Sequence, residues 1–168
     1  MVILRATAKV MKLMRPDETA PGESDTALGD WYVNRIVIDR RPLLLLVSAK
    51  SLLPIVEPAR EVHGLPTRLA SVVAARLERM GVSRDLVRAE VDAMAPTLVA
   101  KTASRSVLGV MVDFAKAASV HRRAEGWNEA WLRELESRLA ETPCFVTSTL
   151  GKAIFPVDEA ARLLGEKW

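Results

Sequence analysis

Cysteine is nearly missing from this sequence, with Cys144 alone among 168 residues. A single cysteine excludes an internal disulfide framework and suits a reducing compartment, so the expected location is the cytoplasm. Histidine is almost as scarce. His63 and His121 stand far apart, and neither has a second histidine or a cysteine three or four residues on. No structural zinc set can be assembled from that supply, and no metal site is expected. A nucleophilic Cys–His pair would need distant residues to meet, and a lone cysteine after an amphipathic helix reads first as packing. A Gly-rich run and a GK[ST] are both lacking, which excludes a P-loop. The longest apolar run, PLLLLV at 42–47, has the length of a buried strand and falls short of the roughly 18 to 20 residues that span a bilayer. The opening MVILRATAKVMKLM has neither a basic region ahead of an apolar one nor a small-residue cleavage site, so it does not read as a secretory signal. No membrane partner, cofactor or catalytic set is expected.

What is present is ordinary in amount. Apolar residues make up 49% and charged residues 27%, the balance of a globular protein. The length fits one domain over 1–168. The pI is about 9.3 although the net charge is only +3. Some of the arginines come in pairs, Arg40–Arg41 and Arg122–Arg123. That balance permits binding to nucleic acid or phosphate without requiring it.

Along the chain, VILRAT reads as a short strand and AKVMKLM as a helical turn or two. Residues 15–30 are rich in Pro, Gly, Ser, Thr and acids, and read as a mobile loop. Two strands follow at 31–39 and 43–48, joined by a tight turn over Asp39–Pro42. The second is apolar on both faces and therefore central in a covered sheet. LLPIVEPA supplies a further strand, which Pro54 and Pro58 assign to an edge. Beyond residue 60 the period becomes helical: Leu65, Leu69, Val72, Val73, Leu77 and Met80 share one face, and Val87, Val91 and Met94 another. TLVAKT reads as a short strand, followed by helices over about 104–123 and 128–141. CFVTST and KAIF read as short strands or loop, and Pro156 opens a last helix. The expected fold class is α+β: a small antiparallel sheet from the N-terminal third packed by several C-terminal helices.

MVILRATAKVMKL, LGDWYVNRIVIDRRPLLLLVSAKSLLPIVEPAR, KTASRSVLGVMVDFA and LAETPC occur in that order and cover most of the chain. In these pieces the sequence resembles an uncharacterised bacterial family known only as a domain of unknown function, with LGDWY and RSVLGxMxDF as its signature segments. The resemblance implies a fold span and gives weight to those segments. It implies no reaction.

The candidate working surface lies in TASRSVLGVMVDF, 102–114. At 100° per residue, Val107, Leu108, Val110, Met111, Val112, Phe114, Ala115 and Ala118 cover a wide apolar arc, leaving Arg105, Ser106, Gly109, Asp113 and Lys116 as a narrow polar stripe. Gly109 in that stripe suggests the close approach of a backbone or a ligand. The helix start, with Lys101, Thr102, Ser104, Arg105 and Ser106, favours an anion; equally, Thr102 or Ser104 can serve simply as the N-cap. Asp113 reads as an ion-pair partner for Arg35 or Arg105. Asp30, Trp31 and Tyr32 of LGDWY form a second candidate: a turn followed by aromatic surface beside the acidic loop, serving as core or as a stacking platform. Two functions follow. One is a small cytoplasmic binding or regulatory module that engages a protein, a second copy of itself, or an anionic ligand such as phosphate or nucleic acid. The other is an enzyme acting on a phosphorylated or nucleotide-like substrate at the 101–113 helix start. The enzyme requires Arg105 and Asp113 to converge in a concave pocket with a second element.

Overall fold

Residues 1–17, 20, 22–121, 128–146 and 151–168 are described by a computed structural model. Strand β1 (Val2–Ala6) leads into a single helical turn, α1 (Ala8–Met11). The hairpin formed by β2 (Trp31–Ile38) and β3 (Arg41–Ser48) is the centre of the fold. Its two-residue turn, Asp39–Arg40, has positive φ at both positions (50° and 64°), the backbone that matches the twist of the flanking strands. Strand β4 (Pro54–Pro58) adds antiparallel to β3, and a short 3₁₀ turn leads into helices α2 (Leu65–Arg79) and α3 (Arg84–Ala93). Then come β5 (Thr97–Lys101), α4 (Arg105–Val120), α5 (Glu129–Ala140), a two-residue pair β6 (Cys144–Phe145) and β7 (Ala153–Ile154), and α6 (Pro156–Leu164).

The main sheet runs β4-β3-β2-β1-β5. The fold is α+β, as expected, and β2, β3 and β4 are its antiparallel part. The sheet as a whole is mixed, because β1 pairs parallel with both β2 and β5. Parallel neighbours need a long crossover between them; β1 reaches β2 through α1 and the segment that ends at Asp30, and the α2–α3 pair carries the chain from β4 at one edge to β5 at the other, beside β1. Strand periodicity carries no record of which neighbour a strand will find.

Alternation along β3 explains PLLLLV. Leu44 and Leu46 face one layer, with Val2, Leu4, Val33 and Leu69, Val73 and Leu77 of α2. Leu43, Leu45 and Val47 face the other, with Val107, Met111 and Phe114 of α4 and Leu132 and Leu135 of α5. Each such side chain fully removed from water contributes about 1.5–3 kcal/mol.

Both sheet edges are closed. On β4 the outward positions are 54, 56 and 58. Pro54 and Pro58 carry no N–H, and the Val56 N–H donates to Glu136 Oε2 at 2.9 Å. On β5, Val99 N donates to Asp17 Oδ2 (2.7 Å) and Asp17 N to Val99 O (2.8 Å). Residues 22–30, read from sequence as part of a mobile loop, are fastened across the molecule. Ile3 N donates to Ser24 Oγ (2.8 Å), and Ala27 N and Leu28 N donate to the buried Glu90 carboxylate (2.8 and 3.1 Å). The Arg122–Arg123 pair, Trp127 and residues 147–149 of CFVTST lie outside the described residues.

Candidate functional site

The side chains of Ile3 and Arg5 project from β1 on the face opposite Val2 and Leu4. Arg5 lies directly beside Tyr32 of β2, and Asp30, two residues before Tyr32, falls on the same side. Arg5 Nε donates to Asp30 Oδ2 in an ion pair whose side chains are each 11% exposed. Its other nitrogens reach Lys101 O (3.0 Å) and Gly22 O (2.9 Å). The second Asp30 oxygen accepts from Ser24 N (3.0 Å) and Ser24 Oγ (2.6 Å). One guanidinium therefore fixes the end of β5, the 22–24 segment and the start of β2 together.

Above this pair lies a cavity of about 270 Å³. Its wall is assembled from Arg5, the 22–24 segment, Gly29, Asp30 and Tyr32, Ala49 and Lys50 after β3, and Ala103 and Ser104 at the start of α4. Ser104 is the N-cap: its Oγ accepts from Val107 N at 3.3 Å, while its own N–H donates to the Tyr32 hydroxyl at 3.0 Å. Tyr32 thus ties the helix start to the sheet. Gly29 has φ +75°, and a Cβ there would come within 2.9 Å of Lys50 Cγ. The Lys50 stem can lie across the backbone of residue 29 only because that residue is glycine. The Lys50 ammonium reaches Thr26 O at 3.4 Å.

The family model described as Domain of unknown function (DUF6933) matches residues 3–159. The chain belongs to that family. No curated protein and no solved structure matches the chain. The DUF6933 match spans β1, the cavity wall and α4 alike.

In this DUF6933 member the two sequence-level candidates meet, though not along the line expected. Asp30, Tyr32 and Ser104 share the cavity. Trp31 does not: strand alternation turns it to the opposite face, where it is fully buried in the core and cannot serve as a stacking surface for the cavity. Lys101 is exposed and gives its carbonyl to Arg5, and Thr102 is half-buried beside it. Arg105, Ser106, Gly109 and Asp113 lie exposed along α4, outside the cavity wall. The convergence of Arg105 and Asp113 that a catalytic reading of 101–113 requires is not found among the described residues.

Three readings of α4 are revised. A Cβ on Gly109 would meet nothing within 4 Å, so no other segment among the described residues comes close to that glycine. Val112, assigned to the buried arc, is 52% exposed; α4 packs through Val107, Val110, Met111, Phe114 and Ala118, a narrower face than its apolar composition suggests. Asp113 has no ion pair with Arg35 or Arg105 among the described residues. It lies instead near Cys144, whose thiol is pushed up to about 11, first by burial and then by the Asp113 charge. A thiol so held stays protonated at neutral pH and is a poor nucleophile. Among the described residues no three His, Cys, Asp or Glu side chains gather to hold a metal ion.

Sequence reasoning missed Arg5, Ser24, Gly29 and Lys50. The usable signal was Arg5, a charge inside the otherwise apolar strand VILRA, which needs a partner when buried.

Proposed function

We propose that the chain is a binding protein for a small anionic molecule, held in the cavity between β1, β2 and the start of α4. The observation that carries this reading is the meeting of Lys50, Tyr32 and the capped N-terminus of a 16-residue helix around one concave space of about 270 Å³. The formal charges of the wall cancel, Arg5 and Lys50 against Glu23 and Asp30. The helix start then decides the sign, because the N-terminal end of the helix dipole carries a partial positive charge of about +0.5. Lys101 and Arg105, both exposed at that helix start, add to it. A space of this size suits a headgroup or small metabolite better than a polymer. Binding rather than turnover is favoured because Asp30 is already committed to Arg5 and Ser24, which leaves it no role as a general base.

The test is a thermal-shift panel of small phosphorylated and carboxylated molecules at fixed ionic strength, with mass spectrometry of whatever co-purifies with the native protein. A saturable rise in midpoint with one class of anion supports the reading. If no anion exceeds matched chloride and no small anion co-purifies, the reading fails. Steeply salt-dependent binding of an oligonucleotide, with no small-molecule effect, would point to nucleic acid instead.

A further inference from the structure

The hydrogen-bonding capacity of the cavity wall is lopsided. Its buried acceptors are already engaged: Asp30 accepts from Arg5 and Ser24, the Tyr32 oxygen from Ser104 N, and Ser104 Oγ from Val107 N. Its donors are not. Tyr32 is only 2% exposed, and the one bond of its hydroxyl is as acceptor, which leaves the O–H proton without an acceptor among the described residues. The proton of the half-buried Ser104 hydroxyl likewise has no acceptor among the described residues, and the exposed Lys50 ammonium has three donors and a single long contact. With its donors free and its acceptors largely engaged, a wall of this kind suits a guest that only accepts. Among the described residues, the carboxylate of the wall without a bonded partner is Glu23, which is exposed to water.

On that basis, and resting on the anion-binding reading above, we infer that the cavity recognises a single oxyanion group of a small molecule, a phosphate or a carboxylate. The Tyr32 O–H and the Lys50 ammonium are its recognition groups. Asp30 faces inward as the fixed partner of Arg5 and makes no ligand contact. Tyr32 has two jobs that use different halves of one hydroxyl: the lone pair positions α4, and the proton meets the ligand. Glu23 works against the ligand's charge and sets a ceiling on affinity.

The experiment is titration of the full chain with inorganic phosphate, and separately with acetate, at constant ionic strength, following backbone amides by two-dimensional NMR. Saturable shifts are expected at Gly29, Lys50 and Ser104 to Ser106, and the stronger anion identifies which oxyanion fits. Tyr32→Phe and Lys50→Met should each weaken that anion by about tenfold, the usual loss for one hydrogen bond to a charged group. Glu23→Gln should tighten it. Lys50 and Glu23 are both exposed, so those two variants report on binding without disturbing the core. Saturation at these amides with unchanged affinity in Lys50→Met and Tyr32→Phe would overturn the assignment of the recognition groups while leaving anion binding intact. Loss of binding in Glu23→Gln would show that Glu23 holds the ligand, which also overturns the assignment. If neither anion moves any of these amides, the anion-binding reading itself fails.

Discussion

Two buried carboxylates, Asp30 and Glu136, are each held by arginine, and they serve different ends. Glu136 on α5 is 1% exposed and gathers three guanidinium groups: Arg76 Nε (3.3 Å) and Arg79 Nη2 (2.8 Å) from α2, and Arg133 Nη1 (3.1 Å) from its own helix. It also accepts the outward N–H of Val56 on the edge strand, while Arg76 donates to Pro54 O (3.3 Å). Helices from opposite faces of the sheet are thereby joined around the β4 edge, and the edge is sealed. Burial lowers the Arg76 pKa, against the opposing pull of Glu136. Asp30, by contrast, has one guanidinium and one serine, and borders a cavity that water can enter. The same pair of functional groups is a closed structural joint at one place and the fixed floor of an open site at the other. What separates them is the space beside the pair.

The largest test of that contrast is Glu136→Gln. The amide keeps the shape and the Val56 hydrogen bond but leaves three arginines around a neutral group. Urea unfolding should show a loss of about 3–5 kcal/mol, the range for breaking a buried ion pair. A loss under about 1 kcal/mol would erase the distinction between joint and site. Asp30→Asn should cost less, about 1–3 kcal/mol by the same measurement, because water can reach Arg5 once its partner is neutral. If Asp30→Asn proves the more damaging of the two, the floor of the cavity is the real keystone.

A third polar feature, the exposed stripe of α4, gives an intermediate effect of opposite sign. Gly109→Ala, in open helical surface, should raise stability by about 1 kcal/mol in the same assay; a decrease would restore the idea that something packs there. The smallest change in stability is expected for Lys50→Met, within about 0.5 kcal/mol of the parent, even as its anion affinity falls. A large stability loss in that variant would make Lys50 a structural strap over Gly29 rather than a ligand group.

Much of this was legible in the residues. The doubly apolar PLLLLV predicted a strand covered on both faces, Pro54 and Pro58 predicted an edge, and Ser104 was one of two candidates for the cap of α4. Those features depend on local geometry and burial, which sequence period and side-chain chemistry report directly. The stacking alternative for Trp31 and the assignment of Val112 to the buried arc fail one step further on. Adjacent strand residues face opposite layers, so Trp31 and Tyr32 could not both serve one site. An apolar arc states what a helix can bury, while its neighbours decide how much it does.

By itself, then, the sequence determined the class of fold, the buried strand and the edge, and narrowed the cap to two residues, because each follows from backbone conformation and the cost of wetting apolar or exposing unpaired groups. Only tertiary structure decided that β5 would lie parallel to β1, that Arg5 would meet Asp30 across 25 positions of chain, and that Lys50 would cross Gly29. Those are contacts between segments that carry no mark of each other in sequence; a buried charge announces that it needs a partner, and the folded chain alone selects which one.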